Sequence, residues 1–162
     1  MGPEAPQTEN PITIRAQYIK DFSFEAPSAP GVLLDMQKTQ PDISINIDVK
    51  VESAEESKFE VILQIKAKCI VGEKVGFILE LVYGGLFDIK VPAEHMQAVL
   101  LIECPRLLFP FARNVLANAT RDGGFPPLML DPVDFAGMFR NQMEAAQKNG
   151  GEAPDKPAPK VN

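Results

Sequence analysis

Hydrophobic and polar residues alternate through most of the first half of the chain. An extended strand points successive side chains to opposite faces, so a period of two predicts β-strands. The alternation occupies four segments: Ile12 to Glu25, Pro41 to Glu52, Lys58 to Val71 and Lys74 to Tyr83. The connections before the third and fourth segments are short and polar, which predicts antiparallel hairpins. A longer, proline-containing connection around Gly31 joins the first two strands.

The period changes in the second half of the chain. From Ala93 onward, apolar residues recur every three or four positions until Gly123, as they do along one side of a helix. Pro105 and Pro110 are expected to break or kink this helix, because proline removes a backbone donor and crowds the preceding turn.

A last helix is predicted from Asp131 to about Lys148, with Asp131 as its N-cap and Pro132 at its first position. A strand-rich half followed by a helix-rich half indicates an α+β fold, with helices on one face of an antiparallel sheet. The folded domain is predicted to span residues 12–148. The proline- and glycine-containing ends, residues 1–11 and 149–162, are predicted to be disordered tails.

Composition narrows the classes of partner. The chain has 162 residues, of which 45% are hydrophobic, enough for one domain with a sizeable core. Its 22 acidic and 16 basic residues give a formal charge of −6, which disfavours nucleic acid and anionic membranes and favours basic partners. No apolar run approaches the ~18 residues of a spanning helix, and the amino terminus lacks a signal core, so we expect a soluble cytoplasmic protein.

Residues for catalysis are scarce. His95 is the only histidine, and a surface position early in a helix is the simpler interpretation of it. Cys69 and Cys104 lack the spacing of a metal site, so they are predicted to be reduced, buried thiols. The pairs Gly84-Gly85 and Gly123-Gly124 lack a phosphate-loop sequence and are predicted to be turns. We therefore expect a binding or assembly protein without catalytic residues, metal or cofactor, and not an enzyme.

The first strand has an acidic face. Phe22 and Phe24 point to one side, while Asp21, Ser23 and Glu25 point to the other. If the first and fourth strands share a sheet, Ile78 and Glu80 would join Asp21 and Glu25 in one acidic patch with an apolar spot. A solvated outer face without a partner is the alternative, since charges on such faces are common.

Three further stretches are unusually apolar: "GGLFDI", "RLLFPFAR" and "GGFPPLML". The last is interrupted by glycine and proline, so its Phe and Met side chains are candidates for a displayed surface that tolerates many partners. Core packing is the alternative for all three.

At this point the chain resembles the bacterial export chaperone family SecB. The resemblance rests on "YIKDFSFEAPSAP", on "VGEKVGFILELVYGGLFDI", and most specifically on "CPRLLFPFAR" followed by "GGFPPLML". It implies a four-stranded antiparallel sheet with two helices, assembled as a dimer of dimers. It also implies a cytoplasmic, ATP-independent chaperone that holds secretory precursor proteins unfolded and delivers them to the translocation motor SecA.

The resemblance also implies roles for residues. Asp21, Glu25, Ile78 and Glu80 would bind SecA, through the zinc-bearing carboxy-terminal segment of SecA. Leu79, Leu81 and Tyr83 would lie at or near the tetramer interface. The candidates for the substrate groove are Met36, Phe77, Leu86, Phe87, Phe109, Phe111, Phe125 and Met129. The family's tryptophan before the second strand is absent, and Met36 and Gln37 stand there instead.

Two other functions stay open from the sequence. The same Phe and Met surface suits a binding module for a small apolar ligand such as a fatty acid, which would need a closed pocket. A hydrolase using His95 and a carboxylate is the third hypothesis.

Overall fold

A four-stranded antiparallel sheet forms the centre of the molecule. A computed structural model describes residues 10–149 of the chain. The strands are β1 (Ile12–Glu25), β2 (Asp42–Glu55), β3 (Lys58–Val71) and β4 (Lys74–Ile89), and they lie in the order β1-β4-β3-β2. The predicted α+β class and antiparallel sheet are confirmed, and the bounds of β1 and β3 match the alternation in the sequence.

The two predicted hairpins are also confirmed. β2 pairs with β3 and β3 pairs with β4, both antiparallel. Ser57 and Gly72 take positive φ angles of 61° and 64° in the connections, a conformation that tight hairpin turns require. β1 pairs with β4 on the other side, which is a long-range pairing that no hairpin dictates.

Gly84 and Gly85 do not form a turn, so that prediction is wrong. β4 continues through both glycines to Ile89. A Cβ atom on Gly84 would lie 2.5 Å from a ring carbon of Tyr18, and one on Gly85 would lie 2.7 Å from a methyl carbon of Leu108. The glycines therefore allow side chains to approach the sheet closely from both faces.

The second pair, Gly123-Gly124, does form a turn after a long helical segment. This segment comprises α2 (Ala93–Ala98), a π-helical stretch (Val99–Glu103) and α3 (Cys104–Asp122). A further short helix that the sequence did not predict, α1 (Gly31–Asp35), lies in the connection between β1 and β2. Gly124 has a φ of 92°, which favours glycine after a helix end.

The helix is not broken at Pro110. Pro105 lies in the first turn of α3, directly after the π-helical stretch, whereas Pro110 lies inside α3, which continues to Asp122. Pro110 is exposed, so water can satisfy the carbonyl that lacks its helical donor.

α4 (Phe135–Lys148) starts later than predicted. Asp134 is its N-cap, and the Oδ1 atom of Asp134 accepts a hydrogen bond of 3.0 Å from the backbone N–H of Gly137. The Asp131 cap was therefore wrong. Buried Phe135 packs edge-on against Phe109 of α3 at 6.1 Å between ring centroids, which fixes where the helix begins.

The hydrophobic core lies between one sheet face and α3. Alternate residues of β3 and β4 point to this inner face, where they pack against α3, and the π-helical stretch packs beside β2. Cys69 and Cys104 are free and buried there, as predicted. None of the helices in the described part of the chain has the length and apolar character of a membrane span. The predicted tails, 1–11 and 149–162, lie almost entirely outside the described residues.

Candidate functional site

The opposite, outer face of the sheet brings the predicted acidic residues together. In the β1–β4 register, Glu25 pairs with Ile78 and Ser23 pairs with Glu80, while Asp21 lies one pair further along. Residues paired across antiparallel strands share a face and lie about 5 Å apart. Asp21, Glu25 and Glu80 are exposed and Ile78 is half-buried; we call these four residues the acidic patch.

Two other carboxylates of the outer face are already paired within the chain. Glu60 accepts hydrogen bonds from Tyr18 and from Lys20, the latter at 2.8 Å. Asp88 pairs with Arg15 at 2.9 Å and accepts a hydrogen bond from Ser57. These donors hold the pKa values of both carboxyl groups below their usual range.

The acidic patch differs from these paired groups. Within residues 10–149, none of its three carboxylates forms an ion pair or side-chain hydrogen bond. Its negative charge is therefore available to a partner.

Tyr18 fastens edge strand β1 to the sheet beside this patch. Its ring lies over Gly84 of β4, and its hydroxyl donates to Glu60 of β3, so the side chain spans three strands. Burial and the bond to Glu60 raise the pKa of Tyr18 to about 12. We call Tyr18, Lys20 and Glu60 the Tyr18 clasp. Sequence reasoning missed it, although a glycine within the alternation of β4 was a signal of close approach.

A second candidate site lies at the inner face, beside the loop after α3. A cavity of about 260 Å³ collects four of the predicted groove residues, Met36, Phe77, Phe125 and Met129. We call it the apolar groove; its remaining lining residues are Gln40, Pro41, Ile43, Cys69, Pro126, Pro127 and Leu128. Phe77 and Phe125 are buried at its base, whereas Met129 is 62% exposed at its rim. The groove is therefore open to an incoming chain.

Three aromatic rings support the groove base. Phe77 lies 5.0 Å from Phe125 and 5.7 Å from Phe24 of β1, between ring centroids, and Phe24 lies 6.3 Å from Phe125. Such stacked and edge-on contacts fix ring orientation. The base is therefore formed by rings packed against one another, whereas the rim carries a methionine, a flexible side chain that suits varied partners.

Thr120 anchors the loop that forms one wall. Its buried hydroxyl donates to the carbonyl of Leu116 at 2.8 Å and accepts from the backbone N–H of Leu128 at 2.9 Å. This contact ties the 123–130 loop to α3. Sequence reasoning missed Thr120, because a threonine inside a helix carries no pattern that reveals a partner eight residues away.

The other four groove candidates lie elsewhere. Phe87 and Phe109 are buried in the core and do not line this cavity. Leu86 is half-buried on the outer face, and Phe111 is exposed on α3, neither of them lining this cavity.

The residues predicted at or near the tetramer interface, Leu79, Leu81 and Tyr83, point to the inner face of the sheet. Leu79 and Leu81 are 0% exposed within the single chain, and Tyr83 is buried beside them on the inner face. All three are core residues of the single chain, and their place at or near a tetramer interface stays a prediction. Apolar residues occupy alternate positions of β4 because helices of the same chain cover that face of the strand.

The described residues offer little for catalysis. His95 is exposed, and its Nε2 atom lies 3.5 Å from Oε1 of Glu94, which is also exposed. Burial raises the pKa of the Cys104 thiol to about 12 and also raises that of Cys69, which makes both poor nucleophiles near neutral pH. Within residues 10–149, no group of three or more His, Cys, Asp or Glu side chains is placed to hold a metal ion.

Comparison with known proteins identifies the family. The family model described as preprotein translocase subunit SecB matches residues 5–146. The chain belongs to the SecB family. It is 52% identical over 140 residues to the protein-export protein SecB of Rhodopseudomonas palustris strain HaA2, covering 86% of this chain and 88% of that protein. Identity to SecB of Bradyrhizobium strain BTAi1 is 54%, covering 82% of each chain.

A solved structure shares the SecB fold. The SecB-like chaperone of Mycobacterium tuberculosis, in complex with a peptide from an antitoxin, superposes with a TM-score of 0.64 and covers 76% of this chain and 91% of its own. Its identity is 16%, so this likeness concerns the fold alone.

Proposed function

We propose that this SecB-family chain is an ATP-independent export chaperone that holds precursor proteins unfolded in the cytoplasm and delivers them to SecA. The observation that carries the proposal is the apolar groove, with buried aromatic rings at its base and an exposed methionine at its rim. An unfolded protein exposes apolar side chains that a native protein has buried, so an open apolar surface selects non-native clients without reading a sequence.

The names of the relatives support this proposal. Proteins about half identical to this chain are protein-export proteins, and the mycobacterial SecB-like chaperone was solved with a bound peptide. Binding of this kind requires neither nucleotide nor a catalytic group.

Delivery uses a second surface, the acidic patch. Its carboxylates have no partner within the described chain, and they face away from the helices and the groove. A basic segment suits this surface, and we propose that it is the zinc-bearing carboxy-terminal segment of SecA. The zinc would belong to SecA and not to this chain. Because the two surfaces lie on opposite sides of the sheet, a client and SecA can be bound together.

We also propose assembly as a dimer of dimers. Leu107 and Phe111 lie one helical turn apart on α3 and are 42% and 53% exposed, an apolar face that a second copy would cover. Several grooves on one assembly can hold one long client, which raises affinity by ~10² or more over a single groove.

A small apolar ligand is a poorer match for the groove. Pockets for such ligands enclose roughly 300–1,000 Å³ and bury most of the ligand. This cavity measures about 260 Å³, and its rim is exposed. An extended polypeptide fits this cavity better, because it needs to place only one or two of its side chains there.

The proposal is tested with a slowly refolding, chemically denatured protein, mixed with the purified chain without nucleotide. We expect slower refolding and a stable complex detected by light scattering, and no complex with the native form of the same protein. Replacing Met36 and Met129 by Ser should weaken holding, because it removes apolar surface from the groove lining. Serine replacement of exposed Met143 on α4 is the matched control. Equal binding of native and denatured protein would contradict the proposal.

A further inference from the structure

Two lysines adjoin the acidic patch and are not explained by a purely acidic docking face. Lys66 and Lys68 are exposed on β3 and point to the outer face, where Lys66 pairs in register with Glu80 and Lys68 with Ile78. Positive charge at this position opposes the attraction of a basic segment. The position of the two lysines beside the acidic patch therefore requires a separate explanation.

The lysines line an open depression that continues into the acidic patch. It measures about 350 Å³, and its outward-facing side chains are Ser44, Asn46, Lys66, Lys68, Ile78 and Glu80. One edge thus carries hydroxyl, amide and ammonium groups, and the other carries a carboxylate and an apolar side chain. A peptide lying across it would meet positive charge on β3 and negative charge on β4 and β1.

Neither lysine has a charged partner within the part of the chain that the structure describes. Opposite charges facing each other across antiparallel strands attract, yet Lys66 and Glu80 form no ion pair. Over residues 10–149, neither Lys66 nor Lys68 forms a salt bridge, whereas Lys20 and Lys74 each pair with a carboxylate at 2.8 Å. Unpaired charges of both signs therefore lie side by side on this face.

We propose that the segment docking on the acidic patch carries both signs of charge. Its basic groups lie over Asp21, Glu25 and Glu80, and an Asp or Glu side chain of the same segment pairs with Lys66 and Lys68. Neighbouring strands are about 4.8 Å apart, so this carboxylate lies roughly 10 Å from the group that contacts β1. The inference rests on the proposed function, and it names the pattern of charge that the SecA segment presents.

Reversing the charge of Lys66 and Lys68 tests the proposal, because a purely basic partner and a mixed-charge partner predict opposite changes in affinity. If the partner were only basic, the variant Lys66→Glu/Lys68→Glu would bind it more tightly, because the face becomes more acidic. We expect the reverse, about tenfold weaker binding at low salt, since two attractive contacts become repulsive. Binding of full-length SecA from the same organism, measured by titration calorimetry at low and high salt, separates the two results.

Matched variants control for net charge and folding. Lys50→Glu/Lys148→Glu makes the same change in charge at exposed lysines outside the depression, and should not weaken binding. Lys66→Arg/Lys68→Arg retains the positive charge and should bind as the wild type does. If the reversed variant folds poorly, Lys66→Gln/Lys68→Gln should still weaken binding, by about threefold.

Two outcomes overturn the inference, and they differ. If Asp21→Ala/Glu80→Ala loses SecA while Lys66→Glu/Lys68→Glu binds SecA as tightly as the wild type or more tightly, the docking face stands and the mixed-charge segment is rejected. If Asp21→Ala/Glu80→Ala also binds SecA normally, the docking face itself is wrong and the inference falls with it.

Discussion

Single residues decide whether the two surfaces keep their shape. Tyr18 does so for the outer face, since its ring and hydroxyl connect the edge strand β1 to β4 and β3 beside Asp21. Thr120 does so for the groove, since its hydroxyl is the partner of the Leu128 backbone. Both act through a neighbour, so their replacement should affect stability and a surface together.

The Tyr18 clasp predicts a pH dependence. The pKa of Glu60 is lower in the folded chain than the ~4.3 expected when unfolded, so its bonds stabilise the fold above that pH. This contribution is lost as the pH falls through the folded pKa. The difference in unfolding free energy between wild type and Glu60→Gln, from urea denaturation, should be largest near neutral pH and shrink below about pH 4. A difference that stays constant down to pH 3 would contradict this role.

The raised pKa of Tyr18 predicts a loss of stability at high pH. Its raised pKa of about 12 means that the folded chain retains a proton that the unfolded chain loses near pH 10. Stability from this group is thus present below pH 10 and lost as the pH rises from about 10 toward 12. Absorbance titration of Tyr83→Phe, which leaves one of the two tyrosines, should show this late ionisation. Ionisation of Tyr18 near pH 10 in the folded protein would be inconsistent with the clasp.

Thr120→Val tests the groove wall. Valine keeps the shape but leaves the Leu128 N–H without its acceptor, which costs about 1–3 kcal/mol. Urea denaturation should show this loss, and client holding should weaken because the 123–130 loop is released. Thr120→Ser keeps the hydroxyl and serves as the control. A loss in Thr120→Ser with none in Thr120→Val would mean that packing of the methyl group, and not the hydrogen bond, anchors the loop.

At the scale of elements, the alternation of apolar and polar residues predicted where the strands lie in the sequence, but not the order of the strands in the sheet. The bounds of β1 and β3 follow from residues that alternate without interruption. Hairpins reveal only that β2, β3 and β4 are consecutive neighbours, whereas the position of β1 beside β4 depends on long-range contacts. The acidic patch could therefore be predicted only on the condition that these two strands pair.

Other elements depended on contacts that a local pattern does not contain. The Gly84-Gly85 pair has the composition of a turn, yet it serves close packing under Tyr18 and Leu108. The alternate apolar positions of Leu79 and Leu81 indicate that this face of β4 is covered. They do not reveal whether a helix of the same chain or a second copy of the chain covers it. Aromatic content likewise did not separate Phe125 in the groove from Phe87 in the core.

Gly84→Ala tests the packing of β1 on β4. The added methyl group would lie 2.5 Å from the Tyr18 ring, so the ring must move and its bond to Glu60 weakens. We expect a loss of about 1–3 kcal/mol in the free energy of unfolding. In a Tyr18→Ala background the same change should cost much less, because the ring is gone. A double-mutant cycle measures this coupling, and purely additive effects would exclude it.

At the scale of the whole molecule, the proposed function assigns client binding and SecA binding to opposite faces of one sheet. The inner face holds the core and the apolar groove, while the outer face carries the acidic patch and the unpaired lysines. Exposed apolar side chains on α3 add a third surface. Under the proposed function, a client, SecA and further copies of the chain would each use a different one of these surfaces.

Assembly is tested by Leu107→Ser/Phe111→Ser. These replacements remove the exposed apolar face of α3 without reaching the buried Leu108. We expect a smaller molecular mass in analytical ultracentrifugation with unchanged helical content. Client affinity should fall as well, because fewer grooves act on one client. An unchanged mass would place the contacts between copies elsewhere.

The separation of the two surfaces is tested most directly by measuring both affinities of one variant. Asp21→Ala/Glu80→Ala alters the outer face only, so titration with SecA should show weaker binding by tenfold or more, while titration with a denatured client should match the wild type. If both affinities fall together while the circular dichroism spectrum stays native, SecA and client share a surface, and the division of function between the two faces is wrong.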